Sequence, residues 1–275
     1  MTTRYADLEG ARVLVTGASG GLGAAMARAF GAQGARIVVH YRTRAEGAAQ
    51  TAVAVAEAGG EAVKLHADLR SEAAIERLVE AAWAQWDGLD VVVNNAGVVL
   101  KAAILDAGSR WWDEVLGVNL RAPYLLSRLV AARMIDAGIR GTILHNSSIH
   151  ARRSTQFFSA YAASKAALEM LASVQALEWA EHGIRVNCVA PGVVPVERTA
   201  QALAEAEAVW RPHIPLGRYG RPQDIAELTL FLASQASGWT TGQSFVADGG
   251  MLARIDMPRR PRPPLPPEPD PIEEP

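Results

Sequence analysis

Tyr161 and Lys165 stand four residues apart in a stretch, Ala160 to Glu181, that holds no glycine or proline and is followed by Gly183. That spacing predicts one long helix with the phenol and the ammonium on the same side. A phenol titrates near pH 10 in water, and a fixed cation close by favours its anion. The pair therefore reads as a general acid/base in which Lys165 pulls Tyr161 toward the working range. Upstream, Ser148 follows the apolar run from Thr142 to Asn146. A hydroxyl at a strand end facing this pair can hold an oxygen that must gain or lose a proton. Coincidental Tyr/Lys spacing on a helix is the competing reading of the pair alone, so the elements around it decide.

Those elements alternate. Short apolar runs at Val13–Val15, Ile37–Val39, Val63–Leu65, Val91–Val93, Thr142–Leu144, Val186–Val189 and Ser244–Val246 have the length and β-branched content of buried strands. Helical patterns lie between them at Leu22–Gln33, Ala45–Ala58, Ala73–Gln85, Arg110–Asp136, Ala160–Glu181 and Asp224–Ser234. Regular alternation predicts an α/β fold: one Rossmann-type, doubly wound parallel sheet of about seven strands with helices on both faces. One domain over residues 1–257 accounts for the pattern, with no repeat beyond the strand–helix unit.

The 275 residues suffice for an extensive core, and 49% hydrophobic with only 6% aromatic residues suits alanine-rich helices on an aliphatic sheet. A formal charge of −2 gives no electrostatic reason to expect nucleic acid or an anionic membrane as partner. The single cysteine, Cys188, excludes an intramolecular disulfide and fits a reducing compartment; its setting in Arg185–Ala190 reads as inert core. The polar N-terminus lacks a signal-peptide pattern, and no apolar stretch approaches the roughly 18 residues of a membrane span. A cytoplasmic protein without a metal site is expected.

The first strand–helix junction reads Thr16-Gly17-Ala18-Ser19-Gly20-Gly21-Leu22-Gly23. In that position Gly17 turns the chain, Gly21 admits a pyrophosphate to the backbone, and Gly23 lets helix and strand pack closely. The helix N-terminus then offers free N–H groups to the anion. After the second strand, His40-Tyr41-Arg42-Thr43-Arg44 carries no carboxylate for ribose hydroxyls, and its guanidiniums would accept a 2′-phosphate. NADP(H) is favoured, with NAD(H) possible. Asp68-Leu69 and Asn94-Asn95-Ala96-Gly97 fall at the carboxyl ends of the third and fourth strands, where ligands bind in such folds. Asn95 and Gly97 suit close approach to a cofactor, whereas Asp68 serves equally as a helix N-cap. Gly117 and Asn119, poor helix formers side by side, predict a kink with a free carbonyl or a packing requirement.

With these residues in hand, the sequence resembles the short-chain dehydrogenase/reductase family from about Gly10 to Gly250. The resemblance rests on Thr16-Gly17-x-x-x-Gly21-x-Gly23, Asn94-Asn95-Ala96-Gly97, Asn119, Ser148, Tyr161-x-x-x-Lys165 and Pro191-Gly192, in the family's order. Pro215–Arg218, Gly220-Arg221-Pro222 and Asp248-Gly249-Gly250 are similar to the family's C-terminal part. It implies an NAD(P)-dependent oxidoreductase interconverting a secondary alcohol and a carbonyl by hydride transfer. Tyr161 would move the hydroxyl proton, Ser148 would hold the oxygen, Lys165 would bind the nicotinamide ribose, and Asn119 would hold a relay water. The implied cofactor contacts are Gly17, Ser19, Gly21, Leu22, Gly23, Arg42, Asp68, Leu69, Asn95, Ala96, Gly97, Tyr161, Lys165, Pro191, Gly192 and Val194.

Two features depart from the family. Near Val196 a threonine usually meets the nicotinamide carboxamide; either that hydroxyl is absent or Thr199 supplies it after a shift. Nine of the 15 prolines fall in residues 258–275, which read as a disordered tail despite Arg260, Pro263 and Pro266 matching a polyproline-ligand pattern. For substrate, Ser148, His150, Phe158 and Tyr161 would form a wall, and a lid over about 193–215 would bring Trp210. The Ser147–His150 and Ala247–Met251 runs are similar to glucose 1-dehydrogenases, which implies a sugar or polyol dehydrogenase acting on a small-molecule alcohol. A 3-oxoacyl-thioester ketoreductase, using Arg152 and Arg153 toward a carrier, is the alternative, and a non-catalytic cofactor-binding regulator the lesser one. The family's usual homotetramer would place Trp111, Trp112 and Trp179 at subunit contacts or in the core.

Overall fold

The computed structural model describes residues 3–254, so the proline-rich segment 258–275 lies outside the described residues. Seven strands form the sheet: β1 (Arg12–Val15), β2 (Arg36–Tyr41), β3 (Glu61–His66), β4 (Val91–Asn94), β5 (Thr142–Asn146), β6 (Arg185–Pro191) and β7 (Ser244–Ala247). They lie parallel in the order β3-β2-β1-β4-β5-β6-β7. The order reverses between β1 and β4, which opens a crevice at their carboxyl ends.

Alternation along β1 makes the two-layer cover. Val13 and Val15 point into one core with Met26 and Phe30 of helix α1 (Gly21–Gly31) and Val55 of α2 (Ala45–Glu57). Leu14 points into the other, with Ile75 and Leu78 of α3 (Glu72–Ala84). All three strand residues are wholly buried, which contributes about 1.5–3 kcal/mol for each aliphatic side chain.

The predicted helix over Arg110–Asp136 is continuous but not uniform. Helix α4 (Ser109–Leu116) passes through a π-helical turn at Gly117–Arg121 into α5 (Ala122–Asp136). The kink expected at Gly117 and Asn119 is this wide turn, and it carries the Asn119 side chain inward, fully buried. Helix α6 (Ser159–Trp179) bears Tyr161 and Lys165. The lid region contains two short helices, α7 (Ala200–Glu205) and α8 (Glu207–Trp210), before α9 (Pro222–Ala233) closes the first layer. Among the described residues no helix is long and apolar enough to cross a membrane.

Arg185 shows how β6 is tied to α9. Its buried guanidinium donates to the carbonyls of Leu232 (2.9 Å), Ala233 (3.1 Å) and Ser234 (3.1 Å) and to the hydroxyls of Thr142 (2.9 Å) and Ser237 (3.0 Å). These are carbonyls at a helix C-terminus, which lack helical partners and attract a cation. Lysine cannot reproduce this planar fork of donors. Arg185→Lys is expected to lower the unfolding free energy by about 2–4 kcal/mol in urea titrations, and an unchanged midpoint would show that water replaces the fork without loss.

Candidate active site

The ends of β1, β4 and β5 are joined by side chains rather than by the ladder. Thr16 Oγ1 accepts from the backbone N–H of Asn95 (2.9 Å) and Ala96 (3.0 Å). The Asn95 amide donates back to the carbonyls of Thr16 (2.9 Å) and Gly17 (3.2 Å) and accepts from Asn146 Nδ2 (2.9 Å). Lys165 Nζ then donates to the Asn146 carbonyl at 2.6 Å. One chain of bonds thus runs from the glycine turn to the helix that carries Tyr161.

The glycine turn is built for close approach. Gly17 has φ of +64°, and a Cβ there would sit 2.9 Å from Ala96 Cα. A Cβ on Gly23 would lie 2.5 Å from both the Gly17 carbonyl and Asn95 Nδ2, the tight helix–strand contact expected of it. His40 holds the turn from beneath: Nδ1 accepts from Gly17 N–H (3.0 Å), and Nε2 lies 3.1 Å from the Ala67 carbonyl. The acceptor role of Nδ1 leaves the proton on Nε2. At the N-terminus of α1, Gly21 N–H donates to the Glu197 carboxylate (2.9 and 3.2 Å). The turn therefore already receives an anionic group where a pyrophosphate is expected, and its residues fit a dinucleotide.

Arg42 and Arg44 line the same cleft, with the Arg44 guanidinium lying against Gly20. Asp68 does not cap α3; Ser71 does, accepting from Ala74 N–H (3.3 Å). The Asp68 carboxylate instead holds Arg70 (2.9 Å), which keeps it well below the usual carboxylate range, down to about 2. Glu114 receives both Arg70 (3.5 Å) and Arg42 (4.0 Å).

At the other end of the cleft, Ser148 lines the wall with Tyr161 and acts on the phenol's acidity, and its hydroxyl accepts from His150 N–H (3.2 Å). Burial pushes the Tyr161 phenol above its ordinary value, with Ser148 and the positive charge of Arg198 acting in the opposite direction. The expectation that Lys165 draws Tyr161 downward is not met in this state. Lys165 Nζ stands 5.7 Å from the ring centre and is directed at the Asn146 carbonyl. Burial lowers its own value to about 8. Asn119 secures the floor: its amide bonds the Val98 N–H (2.8 Å), the Val98 carbonyl (3.0 Å) and Ser164 Oγ (3.2 Å). Ser164 in turn donates to the Tyr161 carbonyl (2.7 Å).

A cleft of about 400 Å³ gathers nearly all the expected dinucleotide contacts with Ser148, Tyr161 and Lys165; Gly23 alone stays behind the turn, in packing. His150 and Phe158 stack at 4.7 Å and both meet the Tyr161 ring edgewise at 5.9 Å, so they back the phenol rather than line the cleft. Trp210 is placed elsewhere, in a separate hollow with Val209, His213 and Met251, and does not line the cleft. Arg152 is tied to Glu169 (3.4 Å) and the Ser244 carbonyl (3.0 Å). The Thr199 hydroxyl is committed to the Val196 backbone, accepting from its N–H (3.1 Å), so it caps a turn instead of replacing the missing threonine. The roles of His40 and Glu197 went unread in the sequence. A histidine closing a buried strand beside a glycine turn was the available signal for the first, while the second depends on a contact across 176 positions.

A family model described as Enoyl-(Acyl carrier protein) reductase matches residues 17–252. The 3beta-hydroxysteroid dehydrogenase 1 of Eggerthella lenta is 40% identical over 249 residues, covering 90% of this chain and 95% of that protein. Glucose 1-dehydrogenase 2 of Bacillus subtilis is 32% identical over 249 residues, covering 90% of this chain and 96% of its own length. A crystal structure of a short-chain type dehydrogenase/reductase from Mycobacterium marinum aligns with a TM-score of 0.85 at 35% identity, covering 90% of this chain and 97% of its own. A proposed 2-deoxy-d-gluconate 3-dehydrogenase from Agrobacterium tumefaciens, crystallised with bound NADP, aligns at 0.83 and 34% identity, covering 90% and 98%.

The buried histidines give the fold an acid sensitivity. Desolvation lowers His40 and His145 to about 4, and His145 Nδ1 has no partner that would favour a second proton. Between their folded and unfolded values the unfolded chain binds more protons, so their contribution is complete above about pH 6.5 and falls as pH drops toward 4. Urea unfolding at pH 5 should show a loss of about 2 kcal/mol per histidine relative to pH 7.5. A flat profile would mean that both rings take up protons in the folded protein as readily as in the unfolded chain.

Proposed function

The chain belongs to the short-chain dehydrogenase/reductase family, and from that premise we propose that it interconverts a secondary alcohol and a carbonyl with Tyr161 as general acid/base. The family assignment makes it an oxidoreductase of CH–OH groups served by a nicotinamide dinucleotide. The observation that carries the finer reading is the gathering of Ser148, Tyr161 and Lys165 in the lining of the dinucleotide cleft, with Lys165 Nζ 5.7 Å from the centre of the Tyr161 ring. The nicotinamide supplies the hydride acceptor or donor and, when oxidised, a positive charge. In the oxidation, Tyr161 takes the hydroxyl proton while Ser148 donates to the oxygen as it becomes a carbonyl; the reduction reverses both. The burial that raises Tyr161 keeps it protonated, the form from which the reduction starts. Lys165, freed from Asn146 by a ribose hydroxyl, would then favour the phenolate. Asn119 spends its amide on Val98 and Ser164, so a relay water in this reading is held by the main chain of the π turn.

NADP(H) remains the favoured cofactor, supported by Arg42 and Arg44 at the cleft and by NADP in the Agrobacterium structure. For substrate, a sugar or polyol fits the polar catalytic end and is supported by the glucose dehydrogenase relative. A hydroxysteroid is the second reading, favoured by the 40% identity to the Eggerthella enzyme. The thioester reductase reading loses support, since Arg152 is engaged with Glu169 and Ser244. A tetramer is consistent with exposed Trp111, Trp112 and Tyr124 on α4 and α5 and exposed Met170 and Leu177 on α6.

Nicotinamide absorbance across polyols, steroids and 3-oxoacyl thioesters, each with NADP(H) and NAD(H), tests the substrate and cofactor together. Tyr161→Phe is expected to lower kcat by about 10³-fold while dinucleotide binding, followed by fluorescence, stays within about threefold. Turnover retained in that variant would remove Tyr161 from the chemistry.

A further inference from the structure

The alcohol–carbonyl reading leaves open what the substrate presents away from its reacting carbon, and the segment leaving β6 bears on that. Residues 192–199 run along the cleft and are fixed at several points. Gly220 N–H donates to the Val193 carbonyl (3.0 Å), and the N–H groups of Thr199 and Ala200 both donate to the Val196 carbonyl (2.8 Å each). Glu197 is held by the Gly21 N–H (2.9 Å). Neighbouring side chains of this turn serve opposite ends of the cleft. Glu197 points to the glycine turn, whereas the charge of Arg198 is felt at Tyr161.

Arg198 lines the cleft together with Tyr161, Ser148 and Asn146, and among the described residues it makes no ion pair or hydrogen bond. The two carboxylates of the lining are both engaged, Asp68 by Arg70 and Glu197 by Gly21. The remaining cations are also placed: Lys165 on the Asn146 carbonyl, Arg42 and Arg44 at the adenosine end. The catalytic end therefore holds one guanidinium without a counter-charge, on backbone that is already anchored. A planar fork of donors matches a carboxylate in two parallel bonds, and a single cation balances a single negative charge. A phosphate dianion would call for a second free cation, which the lining of the cleft at this end does not offer; Lys101 lies outside it, over the Phe158 ring.

Resting on the reading above, we infer that Arg198 selects substrates that carry a carboxylate apart from the reacting hydroxyl, so that the preferred class is a polyhydroxy acid rather than its neutral alditol. The carboxylate takes no part in the chemistry. With the nicotinamide bound, the carbinol hydrogen would leave as hydride to it and the hydroxyl proton would go to the Tyr161 phenolate, while the acid group only fixes which carbon faces them.

The test compares kcat/KM for aldonic acids and the matched alditols in the intact protein, Arg198→Gln and Arg198→Lys, with dinucleotide binding measured by fluorescence in each. The intact protein should favour the acid at least about tenfold. Arg198→Gln should lose about 10- to 100-fold on the acid alone, through KM, with the alditol and dinucleotide affinity unchanged, and Arg198→Lys should recover part of the loss. An intact protein without preference for the acid, or an Arg198→Gln variant that loses both substrates alike, would overturn the inference. Weakened dinucleotide binding in Arg198→Gln would also overturn it, by assigning the guanidinium to the pyrophosphate. Absence of turnover with every alcohol offered would instead remove the alcohol–carbonyl reading, and the inference with it.

Discussion

The chain of hydrogen bonds from Thr16 through Asn95 and Asn146 to Lys165 is the constraint on which the site depends. Where parallel strands end, backbone N–H and C=O groups lose their ladder partners, and burial makes each unpaired group costly. Here two asparagine amides supply the partners. The bonds that finish the sheet are therefore the bonds that set the spacing between the glycine turn and the Tyr161 helix. A buried polar network of this kind is rigid, because releasing any member strands its neighbours, although the Asn146 side-chain oxygen itself is left without a partner. Asn119 repeats the device from the opposite side, tying the Val98 loop to Ser164 and so to the Tyr161 backbone.

Electrostatics follow the same axis. The protein carries a net charge of −2, yet the cleft is lined by Arg42, Arg44, Lys165 and Arg198 and by the N-terminus of α1. Its two carboxylates are each held by a donor, so the cleft presents positive potential to a polyanionic dinucleotide while the molecule as a whole does not. Burial works against both members of the catalytic pair, raising Tyr161 and lowering Lys165. Each is thus shifted toward its neutral form, an arrangement that a bound cation or ribose hydroxyl can tip.

The sheet was legible because its strands are short aliphatic runs buried on both faces, and alternation with helices leaves few other folds. The candidate site was legible for a local reason: Tyr161 and Lys165 share one helix, and Gly17, Gly21 and Gly23 share one turn. What spacing could not show was direction. Trp210 lies on a short helix whose facing depends on the packing of the whole lid, and it does not line the cleft. The burial that raises the Tyr161 phenol was not legible, because desolvation depends on depth in the assembled fold, which no i, i+4 pattern reports. Glu197 and His40 act on the glycine turn from distant strand ends, so only the assembled sheet brings them to it.

Direct hydride exchange across this cleft is the claim most open to contradiction. A secondary alcohol that the enzyme turns over would be deuterated at the carbinol carbon and oxidised with NADP, and the reduced dinucleotide read by mass spectrometry and proton NMR. The proposed mechanism predicts that the deuterium arrives intact on the nicotinamide ring, on one face only, because an alcohol held by Ser148 and Tyr161 would meet a bound ring from one side. Deuterium lost to water, or distributed over both faces, would contradict the account.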